Sequence, residues 1–361
     1  MKLVTVVGAR PQFIKAATIS RLIKKEFSNE IDEHIIHTGQ HYDSNMSKIF
    51  FEALKIPSPK VNLKISNSSH GEMTGKMILK LEEVFLKKKY DALLVYGDTN
   101  STLSASIAAS KIHLPIIHVE AGLRSFNMSM PEEINRILTD RVSSLLFCPT
   151  SEAMKNLKKE GLSKNSYNVG DVMYDASKFY SDLVDDNKVL KKFYLERDNF
   201  ILATIHREEN TNNTKRLLSI INSLRILSEK YQIIFPIHPR TKKFIKLNNL
   251  EKKLKNIKLV DPLDYLDMVA LEKNSRVIIT DSGGVQKEAF FFSKPCITVR
   301  NETEWVETVQ LGWNKLTGAN KDEIINGVES FYAKYPKASN AKPYGNGHAA
   351  EKIIKSLYNH F

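Results

Sequence analysis

The stretch Leu3-Val4-Thr5-Val6-Val7-Gly8-Ala9-Arg10-Pro11-Gln12-Phe13-Ile14-Lys15 sets the reading of everything after it. Residues 3–7 form a continuous apolar and β-branched run, which marks a strand buried on both faces, as in a parallel sheet. Gly8 permits a tight turn, and Pro11 suits the first position of a helix, where its missing N–H is not needed. An amphipathic segment follows over residues 12–26. The same alternation recurs outward. Strands are expected at residues 34–37, 92–96, 116–119 and 145–148, then at 199–205, 232–237, 257–260, 276–280 and 295–299. Helical patterns such as 74–87, 217–230 and 263–273 lie between them. Two such series imply an α/β protein of two doubly wound, Rossmann-like domains, residues 1–170 and 171–348. The last helix, residues 349–361, follows the break Lys342-Pro343-Tyr344-Gly345-Asn346-Gly347 and can pack back onto the first domain. Two facing halves of this kind put a cleft between them, lined by the carboxyl ends of both strand sets.

Length and composition agree. The 361 residues suffice for about two domains. No apolar run approaches the roughly 18–20 residues of a membrane span, and the N-terminal run is too short for a signal-peptide core. Cys148 and Cys296 lie in strand-like contexts and read as reduced core residues of a cytoplasmic protein. Lys plus Arg exceeds Asp plus Glu by 53 − 41 = 12, an excess open to polyanions or anionic metabolites. The surplus is mostly Lys scattered over polar helix faces, with no basic stripe carrying aromatics, so nucleic acid is not the expected partner. No HxH, HExxH or CxxC spacing occurs, and no metal is expected.

Function is expected at the strand ends. The helix start after Gly8, with Arg10 and Lys15 near its free N–H groups, reads as an anion site. It carries neither a Walker loop nor a dinucleotide fingerprint, so no nicotinamide or P-loop nucleotide is implied. The third strand ends in Gly97-Asp98-Thr99 and the fourth in His118-Val119-Glu120-Ala121-Gly122-Leu123-Arg124. A carboxyl at such an end faces the cleft, where burial tunes it for acid–base work. Asp98 has a structural alternative as the cap of a helix over residues 101–112. Pro131 opens another helix, on which Glu132 and Arg136 stand four apart as an ion pair, while Glu133 reads as serving the helix dipole. In the second half His206 and His238 each end a strand. Asp281-Ser282-Gly283-Gly284 offers backbone N–H groups to a phosphate with no Cβ in the way. Glu288, one turn on, is within reach of a ribose diol.

Taken together, Gly8-Ala9-Arg10-Pro11, Gly97-Asp98-Thr99, residues 118–124, Pro131-Glu132-Glu133, Asn135-Arg136, His206-Arg207 and Asp281-Ser282-Gly283-Gly284 resemble the non-hydrolysing UDP-N-acetylglucosamine 2-epimerases over nearly the whole chain. The resemblance implies the glycosyltransferase-B fold, no cofactor and a homodimer. It also implies a role in surface-polysaccharide precursor synthesis. It matches Asp98, Glu120 and Glu132 to catalytic carboxylates, Arg136 to the arginine beside them and His206 to the catalytic-site histidine. Arg10, His238, Ser282, Gly283, Gly284 and Glu288 match UDP-contacting positions. The implied reaction eliminates UDP, holds a 2-acetamidoglucal, and re-adds UDP with the C2 proton on the opposite face, which calls for acid–base groups on both faces.

Two departures are informative. The family's usual opening is Gly-Thr-Arg-Pro-Glu-Ala. The form Gly8-Ala9-Arg10-Pro11-Gln12-Phe13 is similar to the branch acting on UDP-2,3-diacetamido-2,3-dideoxy-glucuronate. Many bacterial members bind an activating second UDP-sugar through a Gln-rich segment. Here that segment reads Gly39-Gln40-His41-Tyr42-Asp43, with Asp43 where another Gln is expected, which argues against such activation. A hydrolysing epimerase, a glycosyltransferase on the same fold and a non-catalytic basic protein are the competing readings.

Overall fold

A computed structural model describes residues 1–40, 51–52, 54–66, 69–337 and 341–360. The segment 41–43, singled out above, lies outside the described residues. The chain divides into two compact units, Met1–Ala176 with the chain from Lys342 onward, and Ser177–Ala341.

The first unit is a seven-stranded sheet in the order β3-β2-β1-β4-β5-β6-β7. Its strands are β1 (Lys2–Val7), β2 (Asp32–His37), β3 (Val61–Asn62), β4 (Ala92–Tyr96), β5 (Ile116–Val119), β6 (Leu145–Cys148) and β7 (Ser166–Asn168). Every pairing is parallel. The second unit has six parallel strands in the order β10-β9-β8-β11-β12-β13. These are β8 (Phe200–Thr204), β9 (Gln232–Pro236), β10 (Lys258–Val260), β11 (Val277–Thr280), β12 (Cys296–Thr298) and β13 (Asn314–Leu316). Both are doubly wound orders that reverse direction once, between β1 and β4 and between β8 and β11. In such sheets the crevice for a ligand opens at the carboxyl ends flanking the reversal.

The central strands form where the apolar runs are. β4, β5, β6 and β8 are buried along their whole length, so no face needs polar residues. Three strands fall where no apolar run announced them: β3, β7 and β13. All are two or three residues long; β3 and β7 have no fully buried residue and β13 has one. In the second unit, apolar side chains of Leu217, Ile220, Ile221 and Leu224 pack with β8, β9 and β11 into one cluster, while Val189, Leu190, Ala270 and Leu271 cover the other face.

Both cysteines are buried and unpaired in disulfides. The helix Ala349–Tyr358 packs against the helix Arg10–Glu26 of the first unit. Its first turn is fixed by Asp175, whose carboxylate accepts the N–H groups of Ala349 (3.1 Å) and Ala350 (2.8 Å). None of the described helices is long and apolar enough to cross a membrane.

Candidate active site

In the first unit the turn after β1 is held by Gln12. Its Oε1 accepts the N–H groups of Gly8 (2.8 Å) and Ala9 (3.1 Å), while its Nε2 donates to the Tyr96 carbonyl (2.8 Å) and Thr102 Oγ1 (2.9 Å). An amide both accepts and donates here; a carboxylate could only accept. The neighbouring Phe13 packs edge-on against His37 and Phe51. The Gln12-Phe13 departure therefore has an internal structural use. Gly8 is required by proximity, since a Cβ there would lie 1.9 Å from Ser101 Oγ.

This arrangement corrects one expectation. The N–H groups of Gly8 and Ala9 go to Gln12, those of Gln12 and Phe13 to the Ala9 carbonyl, and Pro11 has none. The turn does not offer the row of free N–H groups foreseen for an anion. Arg10 remains at the helix start, half-buried. Lys15, also assigned to the anion, is ion-paired with Glu120.

Asp98 is free of the capping role. The helix Asn100–Lys111 is capped by Thr99, whose Oγ1 accepts from the Thr102 N–H at 3.2 Å. Asp98 instead pairs with Arg136 Nη2. Arg136 does not pair with Glu132, as the four-residue spacing suggested. Its other nitrogen, Nη1, donates to Glu133 Oε2 at 2.7 Å. The helix Pro131–Val142 turns Glu133 and Arg136 inward and leaves Glu132 exposed, without an ion pair among the described residues. Nor does Glu133 merely serve the dipole. It is 1% exposed and accepts Ser125 N–H, Ser125 Oγ–H and Phe126 N–H, each at 2.9 Å, stapling the loop after β5 to the helix that holds Asp98.

Glu120 stands opposite on the neighbouring strand end. Its φ is +74°, a left-handed conformation costly for a residue with a Cβ, and such strain collects at functional sites. Its Oε2 lies 3.1 Å from where a Gly97 Cβ would be, one residue from Asp98. The first unit thus brings together two carboxylates on adjacent strands, each matched by a cation: Asp98 with Arg136, Glu120 with Lys15.

The second unit is organised by Asp281, which sequence reasoning quoted without a role. Fully buried after β11, it accepts the N–H groups of His206 (3.0 and 3.1 Å), Arg207 (3.0 Å) and Asn210 Nδ2 (3.0 Å), and its Oδ1 is 3.3 Å from His206 Nδ1. The reversal of the sheet between β8 and β11 is what sets the two strand ends side by side. His238 faces His206 with ring centroids 5.7 Å apart and caps the helix Pro239–Leu247, its Nδ1 accepting from Arg240 N–H at 3.2 Å. Burial lowers the His206 pKa, with Arg207 and Arg240 adding to it against the opposing pull of Asp281. Burial and then His206 lower that of His238.

Ser282 caps the helix Gly283–Phe291 through Val285 N–H. Neither Gly283 nor Gly284 has a positive φ, and a Cβ on either would meet protein atoms only at 3.6 Å or more, an ordinary contact. The protein's own packing therefore does not demand glycine here. Arg207, not ion-paired among the described residues, brings Nη2 within 3.9 Å of the Gly283 Cβ position, and Trp305 Nε1 lies 3.6 Å from it. Glu288, 5% exposed, is oriented by Tyr265 Oη at 2.9 Å and comes within 3.9 Å of the Gly284 Cβ position. Arg207, Trp305 and Tyr265 were not foreseen, because each acts through a neighbour distant in sequence.

Across its length the sequence matches the family described as UDP-N-acetylglucosamine 2-epimerase, over residues 24–358. The chain belongs to the UDP-N-acetylglucosamine 2-epimerase family. It is 50% identical to a UDP-N-acetylglucosamine 2-epimerase homolog of Methanococcus maripaludis, over 99% of this chain and 100% of that protein. It is 49% identical to the UDP-2,3-diacetamido-2,3-dideoxy-D-glucuronate 2-epimerase of Pseudomonas aeruginosa, over 99% of both. The crystal structure of Methanocaldococcus jannaschii UDP-GlcNAc 2-epimerase, in complex with UDP-GlcNAc and UDP, superposes with a TM-score of 0.90 at 46% identity, covering 99% of this chain and 100% of that one. These epimerases are isomerases, and the two doubly wound units are the domains of their glycosyltransferase-B fold.

Proposed function

We propose that the protein interconverts the gluco and manno configurations at C2 of a UDP-activated 2-acetamido sugar. The observation that carries the reading is the pair of cation-matched carboxylates, Asp98 with Arg136 and Glu120 with Lys15, on adjacent strand ends. One carboxylate takes the C2 proton as the C1–oxygen bond to UDP breaks and a C1–C2 double bond forms. A second acid then delivers a proton to the other face of C2 while UDP returns to C1. Asp98, Glu120 and Glu132 supply these acid–base groups, Arg136 is paired with Asp98, and His206 is the histidine of the catalytic set. UDP is held by Arg10, His238, Ser282, Gly283, Gly284 and Glu288. Arg207 joins them, and Lys15 serves by holding Glu120. The glycine pair supports this directly, since its lack of side chains answers no need of the protein itself.

Incubation with UDP-N-acetylglucosamine and, separately, with UDP-2,3-diacetamido-2,3-dideoxy-glucuronate tests the reading, with the manno product identified by proton NMR. The opening Gly8-Ala9-Arg10-Pro11-Gln12-Phe13 and the 49% identity to the Pseudomonas enzyme favour turnover of the uronate as well. Manno product from neither sugar would overturn it.

The enzyme works in the cytoplasm on precursors of surface polysaccharide, as a homodimer. Ile134, Leu138 and Val142 support the last point: spaced by four on the helix Pro131–Val142, they form an exposed apolar stripe opposite the face bearing Glu133, Arg136 and Asp140. Light scattering should give twice the 41.1 kDa chain mass, and Leu138→Lys should lower it to one.

A further inference from the structure

His118 lies in the first unit on β5 and is completely buried, away from any surface a sugar could reach. Its two ring nitrogens have fixed partners. Nε2 is 2.8 Å from the Gly97 carbonyl oxygen, and Nδ1 is 2.7 Å from Asp140 Oδ1. A carbonyl oxygen only accepts, so Nε2 carries a proton. Asp140 Oδ2 accepts the Gly122 N–H at 3.1 Å and faces Arg124 Nη1 at 2.8 Å. Burial alone would raise the Asp140 carboxyl, but His118 and Arg124 together hold it below its ordinary range. Asp140 thereby joins His118, Gly122 and Arg124 in one buried network.

Arg124 also takes both oxygens of Glu160 at 2.7 Å, so its guanidinium bridges two carboxylates, Asp140 and Glu160. The remaining titratable neighbour is Cys148 on β6, whose thiol is driven up first by burial and then by Asp140, and stays neutral. Fully satisfied, such a network is rigid.

What it joins is the point. Gly97 immediately precedes Asp98, and Glu120 lies between His118 and Gly122. We infer that His118, clamped by Asp140, is a positioning residue that bolts the Gly97–Asp98 turn to the Glu120–Gly122 turn and so fixes the separation of the two carboxylates. The pairing also explains how Glu120 persists at φ +74°: the turn on its far side is tied down by Asp140. The part concerning catalysis rests on the epimerase reading above; the part concerning the hydrogen bonds does not.

Two measurements separate those parts. Long-range proton–nitrogen NMR of the full-length protein, with nitrogen-15 histidine, should show one of its ten histidines with Nε2 protonated and both ring nitrogens hydrogen-bonded. That signal should be absent in His118→Gln. A His118 whose Nε2 carries no proton overturns the inference without touching the function. In steady-state assays His118→Gln should lose roughly 10- to 100-fold in kcat with KM nearly unchanged, because misplacing a reacting group costs rate rather than binding. A rise in KM at unchanged kcat, or no change in either, overturns the positioning role. The wild-type NMR keeps the inference testable if the variant does not fold, and a wild-type enzyme that epimerises neither sugar sinks the function instead.

Discussion

At the reversal of the first sheet, between β1 and β4, the free N–H groups of the turn are already spent on Gln12, and the strand ends carry Asp98 and Glu120 with their cations. At the reversal of the second, between β8 and β11, the ends carry a buried Asp281 that holds backbone, two imidazoles, and a glycine pair that the protein's own packing does not require. The same strand order has been furnished in two ways. The first unit presents charge on side chains, which suits proton transfer. The second presents side-chain-free backbone N–H groups at a helix start, which suits a diphosphate. On the proposed function, one architecture serves chemistry in one place and grip in the other.

That division is broken most directly by removing a carboxylate. Asp98→Asn and Glu120→Gln should each lower turnover by roughly 10²- to 10⁴-fold, the worth of a general acid or base. UDP affinity, followed by calorimetry, should change little. A comparable loss of UDP affinity in either variant would erase the contrast between the units.

Next come the glycines, where the account predicts opposite outcomes for one added methyl group. Gly284→Ala should leave thermal stability unchanged and weaken UDP binding about tenfold, as expected for losing about 1.4 kcal/mol of contact. Gly8→Ala, forced against Ser101 Oγ, should cost about 1–3 kcal/mol of folding stability. Denaturant melts and calorimetry on the two proteins decide it, and a stability loss in Gly284→Ala would show that packing, not a ligand, chose that residue.

How far the sequence reached follows the same physics. Central strands were legible because burial on both faces demands unbroken apolar runs. The edge strands β3, β7 and β13 were not, being short and largely solvated. Asp98 and Glu120 could be picked from their strand ends, but their partners could not. The spacing of Glu132 and Arg136 fits a helix-surface pair, yet the fold turns Arg136 inward onto half-buried Asp98 and buried Glu133, since a buried guanidinium needs anionic partners. Likewise Gln12 read as a departure from a motif until its four hydrogen bonds across two loops were seen. Contacts between residues about 85 positions apart leave no local trace.

Smaller effects concern pH. His206 and His238 both titrate below the ordinary histidine value of 6.5, burial being the leading cause. They are neutral at pH 7, and proton NMR titration should place both midpoints below 6.5. Folding stability tied to them is complete above pH 6.5 and is lost as pH falls through the lowered midpoints. Half-buried Glu33 in the first unit and buried Glu272 in the second run the other way. Burial raises both, with Glu288 adding to Glu272, so the stability they contribute is present below about pH 4.5 and lost as pH rises through their raised values. Glu33→Gln and Glu272→Gln should flatten that decline in urea melts taken from pH 5 to 9. An unchanged slope in both would mean these carboxyls are not held neutral.

The central claim is that the first unit moves a proton at C2 while the second holds UDP. Proton NMR in deuterated buffer with UDP-N-acetylglucosamine, repeated with the diacetamido-uronate, addresses it in one experiment. The account predicts deuterium at C2 of recovered sugar together with a manno-configured product, and neither when Asp98→Asn replaces the wild type. Sugar that stays fully protonated at C2 in both trials, with UDP still bound, would contradict it.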